Sequence, residues 1–182
     1  MFRRAMPVVA LMLVGGLPAA LASRAEVERC SNSEIASFGA LHSSHNVVVG
    51  PLTLASAGDD PARALPNLQR IGWVKNPALV LPGHTVTLAI APAARRRAGL
   101  LYVHGVGGHS PPTLRDTVPK VKFIACDAAH SKSHAGGRPV TFWSGGFLAS
   151  HYPACVPIDV RIDRQRRVRH LMLSLGAGRD CP

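Results

Sequence analysis

Acidic residues are scarce in this sequence: Asp and Glu together number 10, against 21 Lys and Arg. Paired carboxylates for general acid–base work therefore have few places to be, and the one adjacent pair, Asp59-Asp60, reads as a turn. Aromatic residues make up only 5%, with two Trp and two Tyr. Charged residues amount to 17%, below the usual quarter, which argues against extended disorder. Beyond the N-terminal region no apolar run approaches the length that spans a bilayer, and none shows a sustained 3.6-residue stripe. There is no H-E-x-x-H or other metal signature, and no internal repeat aligns. No cofactor is expected.

What is present is a chain of 182 residues, 47% hydrophobic, its apolar residues mostly Val, Leu and Ala. One domain is the default at this length. Residues 1–22 read MFRRAMPVVALMLVGGLPAALA. Arg3 and Arg4 form a positive n-region, Pro7 to Leu17 is apolar, and Pro18 breaks the helix. Ala20-Leu21-Ala22 then offers the small residues that signal peptidase requires. The expectation is an N-terminal signal-peptide helix cleaved after Ala22 and a secreted or extracytoplasmic protein, with an uncleaved membrane anchor as the alternative. The division that follows is 1–22 signal peptide, 23–45 an N-terminal extension with Cys30, and 46–182 a single domain.

The four cysteines are Cys30, Cys126, Cys155 and Cys181. An even count in an exported chain reads as two disulfides. Of three connectivities, Cys126–Cys155 and Cys30–Cys181 are favoured: the first ties two predicted strand ends, the second clips the mature termini together. Cys126, His130 and His134 also fall at i, i+4, i+8, a zinc-ligand spacing on a helix, but the segment Ala-His-Ser-Lys-Ser-His-Ala-Gly-Gly reads as a loop.

Period-2 alternation dominates the rest. Strands are expected at Val47 to Leu54, Arg70 to Val74 with Ala78 to Leu81, Thr85 to Ile90, and Ala98 to His104. Further strands follow at Val118 to Cys126, with Lys120 and Lys122 outward, and at Val140 to Trp143 continuing into Phe147 to Ser150. The clearest pattern is last: Val156, Ile158, Val160 and Ile162, then Leu171, Leu173 and Leu175. A four-residue turn over Arg164 to Arg167 would pair Val160 with Leu171, Ile158 with Leu173 and Val156 with Leu175. About eight short strands with Gly, Pro and Asn turns predict an all-β fold, an antiparallel β-sandwich of Ig-like or jelly-roll-like type. Residues 57–69, 105–116 and 127–139 are read as long loops.

Leu100-Leu101-Tyr102-Val103-His104-Gly105-Val106-Gly107-Gly108 resembles the strand and HGGG-type oxyanion loop of α/β-hydrolase esterases. Ser144, Asp159 and His170 follow in the order of that family's triad. The elbow's first Gly is Phe142 here, however, and no helices alternate with the strands. A small secreted serine hydrolase using Ser144 and His170 is thus the alternative reading, and a metal-binding module among the nine His is a third. Trp73, Tyr102, Trp143 and Tyr152 are candidates for a sugar-stacking face, or for core packing.

The signal region, Ala125-Cys126, the segment Phe142-Trp143-Ser144-Gly145-Gly146-Phe147 and the closing Gly-Ala-Gly-Arg-Asp-Cys together resemble uncharacterised small exported β-sandwich proteins of GC-rich bacteria. That resemblance implies location and fold and transfers no catalytic residue.

Net charge is +11, or +9 once Arg3 and Arg4 are subtracted. Such an excess favours an acidic partner, here an anionic envelope polymer or lipid surface, with no specific nucleic acid expected. The expected contact is a hairpin tip carrying Arg164, Arg166, Arg167 and Arg169, while Arg95-Arg96-Arg97 reads as a solvated turn. The leading expectation is an exported, non-catalytic β domain that binds or structures something at the envelope or outside the cell.

Overall fold

The computed structural model describes residues 25–57, 72–102, 111–176 and 181. The expected signal peptide, most of the 57–69 loop and the HGGG-like segment from Val103 onward lie outside the described residues. Fourteen strands are present among those described, with three one-turn 3-10 helices and no α-helix; no helix is long and apolar enough to cross a membrane. The strands are β1 (Glu26–Arg29), β2 (Ser37–Phe38), β3 (Val47–Val49), β4 (Leu52–Leu54), β5 (Val74–Lys75), β6 (Ala78–Val80) and β7 (Thr85–Ile90). They continue as β8 (Ala98–Leu100), β9 (Lys120–Ile124), β10 (Ser133–Ala135), β11 (Arg138–Trp143), β12 (Gly146–Ala149), β13 (Ala154–Ile162) and β14 (Val168–Leu175).

They form three sheets: β1-β9-β7-β13-β14, β2-β10-β11-β6-β4-β3 and β5-β12-β8. Alternation decides what each face meets. Val86, Leu88 and Ile90 of β7, Val121 and Phe123 of β9, and the even-numbered positions of β13 all point into one core. There they meet Leu52, Leu54 and Val80 from the six-stranded sheet and Leu100 and Phe147 from the three-stranded one. Rings interlock in the middle: Tyr102 stands edge-on to Phe123, centroids 5.1 Å apart, and Trp143 tilts against Phe123 at 5.1 Å. Such contacts add to the area term of burial. Leu79, Ala135 and Val140 project the other way and make a smaller cluster with Leu41 and Ala55.

Several expectations are corrected. The segment Val47 to Leu54 is a hairpin rather than one strand, because Gly50 takes φ +60°, a conformation open to Gly and poorly suited to the β-branched residues around it. The expected strand at Val140 to Trp143 is the second arm of a hairpin whose first arm and turn lie inside the expected loop 127–139. Its turn is Gly136-Gly137, both at positive φ, the requirement of a type I′ turn. β11 and β12 belong to different sheets, and Gly145 at φ +156° separates them. The sheets are not purely antiparallel, since β1 runs parallel to β9 and β2 parallel to β10. Both extra strands, Glu26–Arg29 and Ser37–Phe38, fall within the expected N-terminal extension and join two different sheets.

The β13–β14 register also differs from expectation by two residues. Ile158 faces Leu171 and Val156 faces Leu173, and the last pair before the turn is Arg161 with Val168. The reason lies on the other side of β13. Ile162 is still paired with Val86 of β7, and Asp163 accepts the Thr85 N–H at 2.8 Å through its carboxylate. β7 therefore holds the end of β13 and widens the turn. A two-residue shift leaves each side chain on its expected face.

The disulfide pairing is corrected as well. Cys30 joins Cys126 and Cys155 joins Cys181. Strand pairing dictates this: Cys30 follows β1 and Cys126 follows β9, its parallel neighbour, so both emerge at one end of the sheet. Cys155 lies in β13 opposite Ser174, which is near the end of β14 and seven residues before Cys181 in sequence.

Candidate functional site

The outward face of the five-stranded sheet gathers the polar residues that alternation excludes from the core. β7 lies in its centre and presents small side chains there, Thr87 and Ala89. On one side Lys122 is paired with Thr87 and Lys120 with Ala89. On the other side Arg161 is paired with Thr87 and Asp159 with Ala89. Long side chains thus flank a floor one strand wide, and adjacent strands lie about 4.8 Å apart, so the two flanks stand roughly 9.6 Å apart at the backbone. The resulting cleft has a volume of about 400 Å³, and Arg95 lines it too. Arg95 follows the 3-10 turn Pro92–Ala94, and its Nε–H donates to the carbonyl of Ile90, the last residue of β7, at 3.1 Å. Four cationic side chains therefore face one carboxylate in the cleft.

That carboxylate, Asp159, is held by His170 of β14, whose Nδ1 lies 2.7 Å from Oδ1. At the far end of β7, Asp163 adopts φ +51°. Its side chain accepts the Thr85 N–H at 2.8 Å and lies 3.0 Å from Nδ1 of His84. The backbone bond to Thr85 first, and then the His84 contact, hold this carboxyl below the usual carboxylate range. In the loop beyond β9, the His130 side chain and backbone N–H hold Asp127 low in the same way.

The structure separates the expected arginine cluster. Arg164, Arg166 and Arg167 lie in the exposed turn. Arg169 belongs to β14 and is paired with inward-facing Val160, so it projects away from the outer face. Its guanidinium comes near Gly50 at the β3–β4 turn. Arg161, paired opposite Val168 at the base of the turn, links the turn to the cationic cleft.

Other sequence candidates fall apart or fall elsewhere. His170 and Asp159 meet, as an Asp–His dyad would. Ser144 stands at the β11–β12 junction, its backbone N–H donating to Glu34 Oε1 at 3.2 Å. The neighbouring Trp143 bonds the carbonyl of Arg29 on β1. β1 and β14 are opposite edges of the sheet, so Ser144 is not brought to His170. Cys126 is consumed by its disulfide, and no His/Cys/Asp/Glu group among the described residues has a metal-holding arrangement. The four aromatic candidates do not form one face: Trp73 and Tyr152 are half-buried, the Tyr152 hydroxyl donating to the carbonyl of Gly72 at 3.3 Å. Tyr102 and Trp143 are core residues. The Tyr102 hydroxyl donates to the carbonyl of Asn76, with burial pushing its pKa far up. Tyr152 packs against the core.

A second cleft, about 430 Å³, lies between Phe38, Leu41, Ala55 and Leu79. Its main polar group, Asn46, is already committed: the amide donates to the carbonyls of Ala40 and Leu41 and accepts the N–H of Ser56.

Sequence reading finds the outward Lys120 and Lys122 but misses their association with Arg161 and Arg95. The available signal is the odd-position polar set of each strand; what is missing is the strand order that sets β7 between β9 and β13. In comparisons with known proteins, no family model, no curated protein and no solved structure matches this chain.

Proposed function

We propose that this protein is an exported, non-catalytic β domain that binds an anionic envelope component through the outer face of its five-stranded sheet. One observation carries the reading: Lys120, Lys122, Arg161 and Arg95 converge on a cleft that holds a single carboxylate among the described residues. Clustered cations beside low-dielectric walls raise the local concentration of anions, and the Arg forks add bidentate recognition of phosphate or carboxylate.

Export is supported by the signal-like N-terminus, with cleavage after Ala22, and by two disulfides, which persist in oxidising compartments. The description as a sandwich belongs to the same proposal: residues of both larger sheets meet in one core. The serine-hydrolase alternative is disfavoured because Ser144 follows Trp143, whose ring N–H bonds Arg29 of β1, while His170 lies on β14 at the opposite edge of that sheet.

The turn carrying Arg164, Arg166 and Arg167 serves as an outer contact and the cleft as the main one. The test compares wild type with Lys120→Ala/Lys122→Ala and with Arg166→Ala/Arg167→Ala on immobilised anionic polymer. The β9 pair is expected to abolish most binding and to lower the slope of log affinity against log salt by about 0.7 per lysine. Loss confined to the turn variant would move the site to the tip. No loss in either would reject an anionic partner.

A further inference from the structure

The cleft is a trough with a direction. Its floor is one strand, β7, whose outward residues Thr87 and Ala89 are short, and its flanks belong to β9 and β13. On the β9 side Lys120 and Lys122 repeat at roughly 6.8 Å, the two-residue step of a strand. Arg95, tied to the carbonyl of Ile90, supplies a cation where β7 ends. Cations thus recur along the trough as well as across it.

Resting on the anion-binding reading above, we infer that the ligand is an extended chain of repeating phosphate groups lying along β7, and neither a single anion nor a bilayer surface. A lone phosphate occupies one position along the trough, whereas the cations recur at successive positions: Lys122 beside Thr87, Lys120 beside Ala89, and Arg95 where β7 ends. A bilayer presents a plane of headgroups, which meets the tips of the lysines and arginines and leaves the floor empty. A narrow chain lies on Thr87 and Ala89 together and passes the cations on both flanks. None of the described residues lining the cleft is aromatic, so it offers no stacking platform for nucleobases or sugar rings. That favours phosphate linked through small units over nucleic acid or acidic polysaccharide. Asp159, the one carboxylate among the described residues of the trough, opposes the chain where it passes Ala89 and limits how tightly it is held.

The test fills the trough without changing its charge. Thr87→Tyr puts a β-compatible ring on the outward face, away from the core, and circular dichroism checks the fold; Ala89→Gln serves if that variant does not fold. Probes are linear polyphosphate, orthophosphate, polygalacturonate and phosphatidylglycerol vesicles. Expected is salt-sensitive binding of polyphosphate by wild type, with orthophosphate a poor competitor. Thr87→Tyr should weaken polyphosphate binding on the order of tenfold, as loss of about two cation contacts would, and leave vesicle adsorption unchanged. Asp159→Asn should bind polyphosphate more tightly than wild type.

If Lys120→Ala/Lys122→Ala loses binding and Thr87→Tyr does not, the cationic face stands and the chain-in-trough inference falls. Equal binding of polygalacturonate, or vesicle binding that falls with the ring, would also overturn it. Binding indifferent to both variants would remove the anion-binding reading itself.

Discussion

Removal of the Cys30–Cys126 bridge should cost more stability than removal of Cys155–Cys181. The first closes a loop with a sequence separation of 96 residues and the second one of 26. In the chain-entropy relation these restrict the unfolded chain by about 4.7 and about 3.5 kcal/mol respectively. Native-state packing acts in the same direction, because Cys126 is buried and Cys155 is exposed. The Cys126 N–H bond to Thr141 Oγ1 at 2.8 Å involves the backbone and survives substitution by Ala. The expected gap between Cys30→Ala/Cys126→Ala and Cys155→Ala/Cys181→Ala is therefore at least about 1 kcal/mol. Even the smaller loss is a large share of the roughly 5–15 kcal/mol that stabilises a typical domain. Urea unfolding followed by circular dichroism measures both, with equal slopes confirming that the unfolded states compare. Peptide mapping without reduction must first find Cys30 joined to Cys126. An equal or larger loss for the short-loop pair would refute the reasoning.

Two further outcomes follow from local geometry. A Cβ at position 146 would lie 1.8 Å from the carbonyl oxygen of Val74 and 2.9 Å from the Asn76 nitrogen, both backbone, so Gly146→Ala should destabilise by roughly 3 kcal/mol. Gly39→Ala, where nothing lies within 4 Å, is the neutral control in the same thermal melt. Asp163 has its folded-state pKa lowered, so its contribution is complete above the ordinary carboxylate value of about 3.9 and disappears as pH falls through the lower folded value. Asp163→Asn should flatten the decline in urea midpoint between about pH 4 and about pH 2; parallel curves for the two proteins would contradict that assignment.

Sequence patterning reveals facing better than pairing here. Alternation in Thr85 to Ile90 marks β7 at its observed bounds, and the β13 and β14 patterns assign each side chain to its observed face. Register escapes because it depends on β7, which grips Ile162 and Asp163 from a distant part of the chain. The parallel strands β1 and β2 escape because Glu26–Arg29 and Ser37–Phe38 are too short to show a period. Cysteine pairing escapes for the same cause, since it follows the β1–β9 adjacency. The candidate site is half legible. Lys120, Lys122 and Arg161 each read as outward, and only the sheet order brings them to one trough. Arg169 reads as part of a tip cluster with Arg167, yet strand alternation, once β14 is known to begin at Val168, turns it to the opposite face.

The most direct test of the central claim is a residue-resolved one. Backbone amide resonances of the protein, titrated with linear polyphosphate at low salt, report where the anion sits. The largest shifts are expected on Thr87, Ala89, Lys120, Lys122 and Arg161, fading as salt is raised. Shifts confined to Arg164–Arg167, shifts centred on the cleft beneath Phe38, or no shifts at all would contradict that claim.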